Sequence, residues 1–186
     1  NKVASILDSG TDIILLNNNF NNDKTFLDIA IKIKQLCAMF DALLLIQNRA
    51  DIAFLAEADG LYLDKNSLSI HQAKEIVGEK TIIGMSINST IEANSAIKNG
   101  ADYICFEQIF STPTTPAMNS AGLEYAKWVS ENFYMPAFVR GNINYSNIKL
   151  LSKSQINKII VGNIVTDSDS PNLATEKFVE LLKSNS

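Results

Sequence analysis

The chain is poor in the residues on which much site chemistry is built: of 186 residues, one is histidine, two are cysteine and one is tryptophan. Cys37 falls in a helical pattern and Cys105 in a strand pattern. Their spacing suggests neither a disulfide nor a metal site, and buried thiols are the reading. Charge is sparse as well, at 19% of residues against 46% apolar, with a net charge of −4 and no basic cluster. That balance argues against nucleic acid as a partner. No apolar run is long enough to span a bilayer and no charged-then-apolar leader opens the chain, so a membrane partner is not expected and the expected compartment is the cytoplasm. No Gly-x-Gly-x-x-Gly turn follows any apolar run, which weakens a dinucleotide-binding reading. No linker or low-complexity tract divides residues 1–186, and the expectation is one domain with a full core.

What is present is a repeated grammar: a helix-periodic segment, a Gly or Ala-Asp pair, a short apolar run, then polar residues. The apolar runs are 11–16, 42–46, 60–63, 80–87, 102–106, 137–139 and 158–161, and helical patterns fill 23–37, 47–58, 69–77, 89–98, 122–132, 145–151 and 172–182. Asp23 is the expected cap of the first full helix, whereas the chain opens as if in mid-helix, without a cap. Seven near-continuous apolar strands alternating with helices predict a parallel α/β sheet buried on both faces. A (β/α)8 barrel fits this alternation if one strand lies before Asn1. The predicted core is Ile14, Leu16, Leu44, Ile46, Leu61, Leu63, Ile83, Ile104, Phe106, Phe138, Ile160 and Val161. The stretch from Gly100 to Pro116 is the most distinctive. A helix-ending glycine and an apolar strand run into Ser111-Thr112-Pro113-Thr114-Thr115-Pro116, which cannot continue a central strand. Its hydroxyls sit where a parallel sheet presents ligand loops; a stiff extended connection is the plainer alternative.

Several segments in one order resemble the thiamine-phosphate synthase and TenI superfamily over essentially the whole chain. They are Gly10-Thr11-Asp12-Ile13-Ile14, Asn48-Arg49-Ala50-Asp51-Ile52-Ala53, Ala58-Asp59-Gly60-Leu61-Tyr62-Leu63 and Ile82-Ile83-Gly84-Met85-Ser86. Further on come Gly100-Ala101-Asp102-Tyr103-Ile104, Phe110-Ser111-Thr112-Pro113-Thr114 and Gly141-Asn142-Ile143-Asn144. The resemblance implies a (β/α)8 barrel that joins hydroxymethylpyrimidine pyrophosphate to thiazole phosphate, with Mg2+ and cations neutralising the departing pyrophosphate. It further implies a small phosphorylated heterocycle as ligand and leaves room for a homodimer. On this basis Ser86, Thr112 and Thr114 are expected catalytic contacts. Substrate contacts are expected from Asn17, Asn19, Gln47, Asn48, Thr115, Gly141, Asn142, Val161, Gly162 and Asn163.

Several of these positions depart from the family pattern. The family's Gln-x-Arg-x-Lys falls on Leu15, Asn17 and Asn19, and the lysine ending its Thr-Pro-Thr-Lys falls on Thr115. Its two magnesium carboxylates fall on Asn48 and Ser67, so no metal ligand is assigned. Asp51, Asp64, Lys65 and Arg140 are the nearby charges open to substitute; Asp51 as a helix cap and Asp64 with Lys65 as a solvated pair are the plainer alternatives. Two other functions stay open. A TenI-like aminothiazole tautomerase needs a general base, for which Glu107 is a candidate and His71, on a helix surface, is not. A non-catalytic relative would keep only a phosphate site, where the two Gly-Asn loops meet the usual phosphate position of such barrels.

Overall fold

The computed structural model describes residues 1–17, 19–20, 22–110, 121–132, 134–154 and 156–183. Helices and strands alternate: α1 (Lys2–Asp8), β1 (Ile13–Leu16), α2 (Asp23–Met39), β2 (Leu43–Gln47), α3 (Ala50–Leu55), β3 (Gly60–Leu63), α4 (Ile70–Val77) and β4 (Ile82–Ile87). They continue with α5 (Thr90–Lys98), β5 (Tyr103–Phe106), α6 (Ala121–Asn132), β6 (Ala137–Arg140), α7 (Ile148–Lys153), β7 (Ile159–Ile160), α8 (Asn163–Thr166) and α9 (Pro171–Lys183). All the strands are parallel, and the sheet order is β1-β2-β3-β4-β5-β6-β7. The two ends of the sheet are drawn together: α1 packs on α9, and Lys2 Nζ donates to Thr166 O at 2.6 Å. This is a barrel of the (β/α)8 class with seven strands, curled round a lumen and open between β1 and β7. Among the described residues no helix is long and apolar enough to cross a membrane.

Because successive side chains on a strand point to opposite faces, each strand feeds two cores. Leu44, Ile46, Leu61, Leu63, Ile83, Ile104 and Phe106 are buried between sheet and helices, with Ile14, Leu16 and Val161 only partly covered there. The lumen is filled by Leu45, Tyr62, Tyr103 and Cys105, against which Ile13, Leu15, Ile82, Phe138 and Ile160 pack. Phe138 and Ile160 thus belong to the inner core, and the predicted list lacked the two tyrosines that dominate it. Room for one of them comes from Gly84, where an added β-carbon would lie 1.9 Å from Tyr103 Cζ. The Tyr103 hydroxyl crosses the lumen and donates to Leu61 O at 3.1 Å.

Several local expectations are corrected. Asn1 caps the first helix, where no cap was expected, accepting from Val3 N–H at 3.2 Å. The α2 cap is Asn22, whose side chain accepts from Thr25 N–H at 2.8 Å, and Asp23 is the first helical residue. The helix α8 was not expected at all, since Gly162-Asn163 reads as a turn.

The Ala-Asp pairs that recur before strands have a common physical cause. Asp59 donates its N–H to Leu44 O at 3.0 Å and accepts from Leu44 N–H through Oδ2 at 2.8 Å. Asp102 does the same for Ile83, at 2.7 and 2.8 Å. Each aspartate therefore clamps one residue of the preceding strand from both sides and pins the register of a parallel pair. Lys34 Nζ closes on Asp59 Oδ1 at 2.5 Å. Replacing Asp102 by Ala strands the N–H of fully buried Ile83, and chemical denaturation should show a loss of about 1–3 kcal/mol; Asp102→Asn, which keeps an acceptor, should lose less.

Candidate functional site

The polar ends of the strands open into a cavity of about 890 Å3 that runs along the seam between β1 and β7. Of the expected substrate contacts, Asn17, Asn19, Gly141, Asn142, Val161, Gly162 and Asn163 all line it. Gln47 and Asn48 do not, and Ser86 lies buried on the lumen side of β4. Thr112, Thr114 and Thr115, with Asn18, are outside the described residues. Backbone geometry explains the first Gly-Asn loop: Gly141 has φ +105, and a β-carbon there would meet Gln108 N at 2.6 Å. The loops after β5 and β6 are tied at this point, with Ile109 N–H donating to Arg140 O at 2.9 Å. Asn147 Nδ2 donates to Asn142 O at 2.8 Å and fixes the far side of the turn. In the second loop, Val165 and Thr166 donate their N–H groups to Gly162 O at 2.8 and 3.1 Å, starting α8 on the cavity wall.

Asn48 and Ser67, on which the resemblance puts the two magnesium carboxylates, come together on a third residue, Asp64. Asn48 Nδ2 donates to Asp64 Oδ2 at 2.6 Å, and the Ser67 hydroxyl donates to Asn48 Oδ1. Asp64 Oδ1 accepts from Asn66 N–H at 2.8 Å, and Asp64 N–H reaches Asn48 Oδ1 at 3.0 Å. Asn48 adopts φ +60 to make this bracket, a conformation asparagine tolerates better than most residues. Burial alone would raise the Asp64 carboxyl, but its donors outweigh it and hold the carboxyl below the ordinary aspartate range. Asp64 is thus a loop brace rather than half of a solvated pair with Lys65. Arg49 is committed too, at 2.7 Å to both Asp51 and Asp23 and over the Phe26 ring at 5.9 Å. Asp51 serves as that ion-pair partner, since α3 has no side-chain cap.

A second network occupies the lumen where it meets the mouth. The Tyr62 hydroxyl donates to Glu107 Oε1, and Glu107 Oε2 pairs with Arg140 Nε at 3.6 Å. The Arg140 guanidinium stands over the Tyr62 ring at 5.7 Å from its centroid. Burial above all, then neighbouring Cys105 and the bond to Glu107, pushes the Tyr62 phenol far above its usual range, so it remains a neutral donor. Burial likewise raises the Cys105 thiol to about 12, with Glu107 adding to it, which makes that cysteine inert. His71 is exposed, lies 3.5 Å from Glu75 on α4, and does not line the cavity. Tyr62 went unnoticed in the sequence because it reads as one more apolar residue of Gly60-Leu61-Tyr62-Leu63.

Comparison with known proteins places this geometry. The family model described as Thiamine monophosphate synthase matches residues 1–165. A thiamine-phosphate synthase of Prochlorococcus marinus subsp. pastoris is 34% identical over 169 residues, covering 91% of this chain and 48% of the relative. One from Thermosynechococcus vestitus is 30% identical over 180 residues, covering 97% and 51%. The chain therefore spans about half the length of these curated relatives. Among solved structures, thiamine phosphate pyrophosphorylase from Pyrococcus furiosus superposes with a TM-score of 0.89 at 28% identity, covering 98% of this chain and 88% of that one.

The donors present do not fit the magnesium ion that such relatives imply. Among the described residues no group of three or more His, Cys, Asp or Glu is placed to hold a metal, and the one carboxylate between Asn48 and Ser67 has both oxygens engaged. Mg2+ alone should therefore leave the melting temperature unchanged, whereas Asn48→Asp combined with Ser67→Asp, which gathers three carboxylates, should make it rise with Mg2+. An equal rise in both proteins would show that the bracket opens to the metal. The bracket also sets a pH dependence. With its folded pKa depressed, Asp64 contributes stability that is fully present above the ordinary value of 3.8 and is lost as pH falls through the lower folded value. The stability deficit of Asp64→Ala should be constant from mildly acidic to neutral pH and shrink below about pH 4.

Proposed function

Because this chain belongs to the thiamine monophosphate synthase family, matched across residues 1–165, we propose that it serves thiamine assembly by binding thiazole phosphate at the barrel mouth, with the synthase step itself slow. The observation that carries this reading is the convergence of Asn17, Asn19, Gly141, Asn142, Val161, Gly162 and Asn163 on one cavity. Neutral amides and backbone groups suit a heterocycle and a single phosphoryl group. They suit a pyrophosphate leaving group poorly, because its developing charge needs cations or a metal to neutralise it. Here Arg49 is held by two aspartates, Asn17, Asn19 and Thr115 carry no charge, and the Asn48–Asp64–Ser67 bracket is closed. Each missing electrostatic donor costs about 10²–10³ in rate, so several together take the displacement far below ordinary turnover. Ser86, Thr112 and Thr114 remain the proposed catalytic hydroxyl contacts.

The tautomerase reading fares less well, because a general base needs a carboxylate free to take a proton. Both Glu107 oxygens are instead engaged, by Tyr62 and by Arg140. A paired assay tests the proposal: calorimetry with thiazole phosphate, and pyrophosphate release with both substrates and Mg2+. Binding with little or no release is expected. Magnesium-dependent release near ordinary enzyme rates of about 1–10³ s⁻¹ would overturn the slow-step reading, and absence of thiazole phosphate binding would overturn the ligand.

A further inference from the structure

We propose that Arg140 is the phosphoryl-binding cation of this mouth, held in place from behind by Glu107 and Tyr62; this rests on the reading of the mouth as a phosphorylated-heterocycle site and names the residue that meets the phosphate.

Position is the first ground. Arg140 closes β6, directly before the Gly141-Asn142 loop, and lines the cavity together with Gly162 and Asn163. Glu107 and Tyr62 touch Arg140 but do not line that cavity. The cation therefore stands between its partners and the open space. The second ground is hydrogen-bonding capacity. A guanidinium has five N–H donors in a planar fork, of which the ion pair at Nε, 3.6 Å from the Glu107 carboxylate, and a hydrogen bond to Tyr62 engage part. The fork matches two oxygens of a phosphate, and the Tyr62 ring lies behind it, 5.7 Å from the guanidinium to the ring centroid.

Elimination is the third ground. Arg49 is neutralised by Asp23 and Asp51. Lys65 is exposed on the loop after β3 and does not line the cavity. Lys158 does line it, but precedes β7 and so sits at the opposite end of the strands. Arg140 is thus the cation at the polar end of this cavity among the described residues. Unlike Arg49, which two aspartates hold, Arg140 faces one carboxylate and the open cavity. It can make one charge-assisted contact to a phosphate monoester, with neutral Asn142 and Asn163 beside it, whereas a diphosphate needs further cations or a metal.

The test measures affinity by calorimetry for three probes: thiazole phosphate, the dephosphorylated thiazole alcohol and inorganic phosphate. Arg140→Gln should weaken both phosphate-bearing probes by about 10–100-fold, the range for a lost charge-assisted hydrogen bond. It should leave the alcohol within about twofold, since that ligand carries no group for the cation. Arg140→Gln leaves Glu107 partly buried without its cation, so Glu107→Gln/Arg140→Gln, which removes both charges together, is measured alongside; it should melt near the parent and show the same phosphate-specific loss. If thiazole phosphate fails to bind the parent protein while inorganic phosphate binds in an Arg140-dependent way, the assignment of Arg140 stands and the thiazole reading falls. Equal phosphate affinity in the parent and the folded double variant, or no phosphate binding by the parent at all, overturns the assignment.

Discussion

A parallel sheet has to be covered on both faces, and in this barrel the inner covering depends on one exchange of volume: Gly84 gives up its side chain so that Tyr103 can lie across the lumen. The Tyr103 ring meets Phe138 edge-on at 5.6 Å, and its hydroxyl is satisfied by Leu61 O. Leu45 uses the space over Gly60 in the same way, where an added β-carbon would lie 2.6 Å from Leu45 Cδ2. Packed at this level, the lumen forces the next inward-facing layer, which includes Glu107 and Arg140, up against the mouth. The candidate site is therefore the upper end of the seam cavity, beside a filled inner core.

Two polar closures define that layer. On the β2 and β3 side, Asn48, Asp64 and Ser67 satisfy one another, which removes the acidic, open arrangement a divalent cation requires. On the β3, β5 and β6 side, Tyr62, Glu107 and Arg140 satisfy one another while leaving the guanidinium on the cavity wall. The same economy of charge thus works in opposite directions: it seals one half of the mouth and presents a cation at the other. Under the proposed function, this arrangement holds a phosphorylated ring and is ill suited to expelling a pyrophosphate.

Much of the fold was legible in the sequence, because near-continuous apolar runs between helical periods leave few topologies open. Gly60–Leu63 was placed to the residue, and the helix start at Ser69 is a capping box with Gln72 that the residues announce. Less legible were features whose signal is not local. Asn1 and Asn22 cap helices that sequence alone begins elsewhere, and α8 hides in a Gly-Asn pair that is turn chemistry in any protein. Tyr62 and Tyr103 were absent from the predicted core, since only the closed sheet reveals which face is the lumen. The role of Asp64 depended on Asn48 and Ser67, 16 and 3 residues away, meeting at a bracket that neither segment betrays on its own.

In the proposed function, the phosphoryl group of the ligand is met by Arg140 and the loops after β6 and β7, without a metal at the Asn48–Asp64–Ser67 bracket. A crystal structure of the protein with thiazole phosphate and Mg2+ tests it most directly. The predicted result puts a phosphoryl oxygen about 2.7–3.2 Å from the Arg140 guanidinium, with the bracket's hydrogen bonds intact. A phosphoryl group bound beside a magnesium ion on Asp64, with Arg140 turned away from it, would contradict the account.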